Sequence, residues 1–149
     1  METTEIKKII EEVLKALGVS HKEIETFQEN NGTIFMVRAD DTKYLIGIGG
    51  AHLLALNHLA RRIVEKRGGD GKTFAIDVNG YQKERNEELK NKARTLAERV
   101  KSFKSEEELE PMSPYERMIV HSFLAEDPEI KTESAGFGKE RRIVIKYRE

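Results

Sequence analysis

The chain has 149 residues, of which 38% are hydrophobic and 36% charged, with no cysteine and a formal net charge of -1. Disulfides and cysteine-based metal sites are thereby excluded, and no apolar run approaches the ~20 residues that span a bilayer. A uniformly basic nucleic-acid protein is excluded as well, so any anion-binding surface must be a local patch.

The densest basic patch is Arg61, Arg62, Lys66 and Arg67, diluted by Glu65. The acidic start, Met-Glu-Thr-Thr-Glu, shows no signal peptide, and a cytoplasmic location without membrane insertion is expected.

Ile6, Ile9, Ile10, Val13, Leu14 and Leu17 follow helical spacing, with Gly18 as the stop. Two strands are predicted next, over 21–28 and 33–39, joined by Asn30-Asn31-Gly32, a strong hairpin signal. Asp40-Asp41-Thr42 is placed to cap a very short helix leading to Leu45-Ile46 and the loop Gly47-Ile48-Gly49-Gly50. The helix after the loop carries the apolar stripe Leu53, Leu56, Ala60 and Ile63, and Gly68-Gly69-Asp70-Gly71 ends it. Phe74, Ile76 and Val78 then alternate as a strand. These elements form an αββααβ unit over 1–80.

A second unit, 81–149, begins with a long helix at 82–104 whose stripe is Leu89, Ala93, Leu96, Val100 and Phe103. A short strand at 107–110 precedes another helix, which has Ser113 as N-cap, Pro114 at the first position and Glu116 three residues after the cap. Pro128 is expected to terminate it. A hairpin of 130–134 and 141–147 around Gly136 and Gly138 closes the chain, with Ile143, Ile145 and Tyr147 on one face of its last strand and Arg142, Val144 and Lys146 on the other. The predicted class is α+β: two small α/β domains, the second with helices on a small mixed or antiparallel sheet.

Two motifs carry chemistry. Gly47-Ile48-Gly49-Gly50 has the form G-x-x-G before a helix, where bare backbone and unpaired N–H groups suit a phosphodiester. The bland alternative is a tight turn between helices. Ile48 and Gly49 stand where basic residues commonly sit, so backbone contacts survive and side-chain contacts to phosphate do not. Arg117 and His121, four apart, share one helix face and suit gripping a phosphate or stacking on a base. The alternative is a solvated face with Arg117 paired to Glu116 or Asp127. No nucleophile or carboxylate cluster surrounds His121, so neither an enzyme nor a metal site is expected, and no cofactor. His52 and His58 read as partly exposed polar residues. Among aromatic residues near loops, Phe137 between glycines is the best candidate for an exposed ring.

Four segments together resemble the Jag (SpoIIIJ-associated) family of bacterial RNA-binding proteins. They are Leu45-Ile-Gly-Ile-Gly-Gly50 with Asn57 in the following helix, Asp77-Val-Asn-Gly-Tyr81, Glu110–His121, and the Arg141-Arg-Ile-Val-Ile145 strand. The resemblance spans about residues 20–147. It implies a type II KH domain followed by an R-three-H domain, binding single-stranded RNA or DNA without enzymatic activity. Carried onto this chain, Gly47 and Gly50 frame the KH loop and Arg117 and His121 are the R-three-H pair. Arg61, Arg62 and Arg142 join the candidate nucleic-acid contacts as nearby basic residues. The alternative is an adaptor whose KH domain pairs with another KH protein or a second copy of the chain, favoured by the near-zero charge and by Ile48.

Overall fold

The computed structural model describes residues 1–30 and 32–149, so Asn31 of the expected hairpin turn lies outside the described residues. Two compact units make up the chain, Met1–Lys83 and Glu84–Glu149. Each encloses its own apolar cluster.

In the first unit, α1 (Thr3–Ala16) lays Ile6, Ile9, Ile10, Val13 and Leu14 on the core. Gly18, at φ 72, lets the chain turn out of the helix where a side chain would be strained. Strands β1 (Glu23–Glu29) and β2 (Gly32–Arg38) pair antiparallel, and β3 (Phe74–Val78) joins β2 in parallel, giving the order β1-β2-β3. A parallel neighbour requires a crossover. Here α2 (Lys43–Ile46), the glycine loop and α3 (Ala51–Lys66) supply it.

Helix α3 buries Leu53, Leu56, Asn57, Ala60 and Val64. Ile63, expected in this stripe, is only partly buried and packs at the core's margin. Fully buried Phe35 meets Phe74 edge to face, with ring centroids 5.8 Å apart. Replacing such a ring by alanine costs about 3–5 kcal/mol.

Polar side chains stitch this core at two places. The Asn57 amide donates to the Ile76 carbonyl (2.9 Å) and its oxygen accepts from the Ile76 N–H (2.7 Å), tying α3 to β3. At the strand's end, Asp77 accepts from the N–H groups of Gln82 (2.8 Å) and Lys83 (3.1 Å), the first turn of α4 (Tyr81–Phe103). Asn79, at φ 50, pairs its amide with both backbone groups of Ala39. The Asp77–Tyr81 segment is thus a strand-to-helix corner held by its own side chains.

In the second unit, α4 buries Leu89, Ala93, Ala97 and Val100. Two members of the expected stripe differ. Leu96 is partly buried beside Ala97, and Phe103 is 75% exposed. Phe103 is the helix's last residue, and Lys104 at φ 51 turns the chain back at once, so the buried stripe closes at Val100.

The sheet has β6 (Arg142–Tyr147) between β4 (Glu106–Glu108) and β5 (Ile130–Ala135), all antiparallel. β6 is therefore the central strand of this sheet and not an edge. Val144, on its expected polar face, is 7% exposed, and Arg142 and Lys146 there are paired with Glu108 and Glu133, each at 3.0 Å. Helix α5 (Pro114–Leu124) covers the other face. It stops at Leu124, with Ala125 as C-cap and Pro128 three residues beyond, and Asp127 in the exit accepts from Lys101 (2.8 Å) and from the Glu129 N–H (3.0 Å).

Candidate nucleic-acid interface

Three of the four loop residues at 47–50 are glycines, and the structure needs each differently. Gly47, at φ 73 and ψ 178, occupies a region essentially restricted to glycine. A Cβ there would also lie 2.6 Å from the His52 ring and 2.9 Å from the His52 backbone nitrogen. The His52 ring is itself fixed, donating from Nδ1 to the Tyr44 carbonyl at 2.8 Å. A Cβ on Gly50, at φ 81, would meet the Tyr81 ring at 3.0 Å. Gly49, at φ 63, faces open space, and Ile48 beside it is 97% exposed. His52 and Tyr81 therefore clamp the loop's two ends, while its middle presents bare backbone and one apolar side chain at the start of α3. Tyr44, 72% exposed, and Leu54, 48% exposed, add apolar surface near the loop.

Arg61 and Arg62 do not gather at this loop. They lie roughly 15 Å further along α3 at a helical rise of 1.5 Å per residue. Carboxylates moderate the patch: Arg62 faces Glu65 at 3.6 Å and Arg67 faces Glu12 at 3.4 Å. Arg61 Nε is buried and has no hydrogen-bond partner among the described residues.

In the second unit, Ser113 caps α5 by accepting from the Glu116 N–H at 3.2 Å. The Glu116 carboxylate does not return to the cap. It is buried and accepts from Arg85 Nε at 2.8 Å, tying α5 to α4. Asp127 is taken by Lys101, whose hydrogen bond holds the Asp127 carboxyl below the usual aspartate value. Both carboxylates proposed as local partners for Arg117 thus have other cations. Arg117 instead donates from Nη1 to the Met112 carbonyl at 2.6 Å, and no carboxylate among the described residues lies in ion-pair distance. One donor ties the guanidinium to the segment before the helix, leaving its other N–H groups for an anion.

One turn further along α5, exposed His121 meets Thr132 of β5 through Nδ1 and the hydroxyl. Arg117 and His121 thus lie on successive turns at the side of α5 that meets β5. Arg142 is committed differently: two of its nitrogens reach Glu108, with Nε at 3.0 Å, and a third donates to the Glu140 carbonyl at 3.2 Å. Its role in the fold is to shape the β5–β6 turn. Thr132 and Tyr44 escaped the sequence reading. Thr132 becomes visible only once α5 is laid on β5, and Tyr44 sits in a four-residue helix too short for its period to be read.

Among the described residues no group of His, Asp or Glu is arranged to hold a metal ion, and no helix is long and apolar enough to cross a membrane.

The KH domain model matches residues 5–89 and the R-three-H domain model matches residues 87–147. Between them they account for the glycine loop with its flanking helices and for the Arg117–His121 helix with its sheet. The chain belongs to the Jag family, which joins a KH domain to an R-three-H domain. Its similarity to named relatives has the same extent. RNA-binding protein KhpB of Clostridium symbiosum is 32% identical over 140 residues, covering 94% of this chain and 62% of that protein. RNA-binding protein KhpB of Bacillus subtilis (strain 168) is 32% identical over 136 residues, 89% of this chain and 65% of that protein. In Lactiplantibacillus plantarum the protein of that name is 30% identical over 138 residues, 91% of this chain and 42% of that protein. The chain thus spans less than two thirds of the length of these relatives. Within this Jag-family chain, Asn57 and Asp77–Tyr81 are the stitch and corner that hold the KH loop's supports.

Proposed function

We propose that this chain binds single-stranded RNA, with the KH loop and the R-three-H helix as its two contact points. The observation that carries the reading is the state of Arg117: a guanidinium held in place by one carbonyl and unpaired with any carboxylate among the described residues, while both acidic neighbours are engaged elsewhere. A preorganised, unneutralised guanidinium suits charge-assisted contact with a phosphate. His121, steadied by Thr132, supplies a hydrogen bond or stacking surface one turn away. At Gly47–Gly50 the bare backbone admits a sugar–phosphate chain closely, as KH loops do. The relatives' name, RNA-binding protein KhpB, supports the same reading. Arg61 and Arg62, distant from the loop, act in this reading by steering the strand.

The test is fluorescence anisotropy of a labelled single-stranded RNA at two salt concentrations, with Arg117→Ala beside the parent chain. Affinity is expected to fall by about 0.7 log units per log unit of salt for each phosphate neutralised, and Arg117→Ala to lower that slope by one such increment. Absence of binding at low salt would refute the proposal.

A second reading is favoured by Ile48, Tyr44 and Leu54, an exposed apolar group beside the loop. In it the first unit pairs with another KH protein or a second copy. Light scattering behind size exclusion tests the copy, and a monomer at high concentration counts against it.

A further inference from the structure

The β5–β6 turn carries a feature that neither contact point uses. Phe137 is 91% exposed at its tip, the most exposed large apolar side chain after Ile48 among the described residues. A single exposed apolar residue on a loose loop would mean little. This turn is not loose. Arg141 donates from Nη1 to the Gly136 carbonyl at 2.9 Å, and the Glu140 N–H donates to the Phe137 carbonyl at 3.1 Å. The Arg141 N–H donates to the Gly138 carbonyl at 3.2 Å, and Arg142 holds the Glu140 carbonyl. Gly136, at φ 90, has no room for a side chain, since a Cβ would lie 2.6 Å from the Glu140 carbonyl oxygen. The backbone is therefore braced on both sides of an aromatic ring that touches solvent, so holding the ring out costs little further ordering on binding.

The ring's neighbours tell what it suits. Lys139 is exposed, and neither it nor Arg141 has an ion-pair partner among the described residues. The acidic residue of the turn, Glu140, adds its charge to the larger effect of Glu108 in raising the proton affinity of Arg142. The Met112 N–H donates to the Arg141 carbonyl at 3.2 Å, and the Met112 carbonyl is the acceptor that holds Arg117. The braced turn and the Arg117 guanidinium are therefore joined through one residue, at one end of the same small domain. From the turn, exposed Ser134 leads along β5 to Thr132 and His121, because residues two apart share a strand face.

We infer that Phe137 is a base-stacking platform that extends the Arg117–His121 contact, taking one unpaired base of a single-stranded nucleic acid while Lys139 and Arg141 face its phosphates. An aromatic face flanked by cations without ion-pair partners among the described residues fits a stacked, anionic ligand, and stacking tolerates any base. This rests on the RNA-binding reading and names a further residue for it.

The chain contains no tryptophan, so Phe137→Trp places a sole indole reporter at the turn. Chains of all 149 residues are titrated with fluorescein-labelled oligouridylate for anisotropy and with unlabelled oligouridylate for indole emission. Phe137→Trp is expected to bind as tightly as the parent and to lose emission in step with the anisotropy rise. Phe137→Ala is expected to bind about five-fold or more weakly with unchanged thermal unfolding. Parent-level affinity in Phe137→Ala, or indole emission indifferent to bound RNA, overturns the platform and leaves the RNA-binding reading intact. Failure of the parent chain to bind overturns both.

Discussion

In the proposed reading the glycine loop of the first unit would offer a nucleic acid its backbone, whereas the Arg117–His121 face of the second would offer side chains. The loop's shape comes from three positive-φ glycines and from His52 and Tyr81 packed against its ends, and its exposed middle carries no charge. The second site has a guanidinium made available because Glu116 and Asp127 are bound to Arg85 and Lys101. One site is built by what glycine omits and the other by how neighbouring ion pairs are distributed. The two should therefore fail in different ways: the loop through conformation, the helix through charge.

The largest expected effect is Gly47→Ala. It forces a Cβ into the His52 backbone and into a region L residues avoid, and should destabilise the first unit by about 3 kcal/mol. Urea denaturation followed by circular dichroism measures it, and an unchanged midpoint would mean the loop is not under this constraint. Next is Asn57→Leu, which leaves the Ile76 N–H and carbonyl without their side-chain partner and should cost about 2 kcal/mol by the same assay.

Arg117→Ala should leave stability nearly unchanged and weaken RNA binding about ten-fold at low salt, the worth of one charge-assisted phosphate contact. Equal affinities for Arg117→Ala and the parent would dissolve the contrast between the sites. Gly49→Asp sharpens it from the other side. That position faces open space in the left-handed region aspartate tolerates, so the change adds a negative charge at a cost of about 1 kcal/mol or less. If phosphate approaches the loop, affinity drops while the fold persists; if the loop serves protein contact, RNA affinity stays.

The smallest expected effect concerns acid. Lys92 holds Glu110, Lys101 holds Asp127, and Lys131 with Lys146 holds Glu133 below their ordinary values. All three carboxylates belong to the second unit. Because their folded-state values are depressed, the unfolded chain binds more protons in this range. Their stabilisation is thus present above the ordinary carboxylate values and is lost as pH falls below about 4. Hydrogen exchange by mass spectrometry at about pH 3 and pH 6, either side of the ordinary carboxylate values and corrected for intrinsic rates, should show the second unit losing protection. Lys101→Ala should diminish the difference.

Much of the architecture was legible from period and punctuation. The 3.6-residue stripes of α1 and α3, the alternation of β3, and Ser113-Pro114 at the head of α5 each mark an element through local physics, because burial on one side of a helix or strand leaves a regular trace. The trace failed where burial depends on where an element ends or on a neighbour distant in sequence. Phe103 continues the stripe of α4, yet the helix ends there and the ring is exposed. The alternation of the last strand puts Arg142, Val144 and Lys146 on one face but does not show that β4 pairs with β6, makes it central and brings Glu108 to Arg142.

The same division applies to the candidate sites. Spacing along the chain is enough to show that Gly47–Gly50 precedes a helix and that Arg117 and His121 share a helix face, since backbone freedom and helical period are local properties. Which charges remain available depends on how the elements pack. Arg117 is unpaired by any described carboxylate because Arg85 and Lys101 reach Glu116 and Asp127 from α4, and Arg142 is committed because β4 brings Glu108 beside it. Charge pairing is settled by which elements pack together, and that information lies in contacts between residues tens of positions apart.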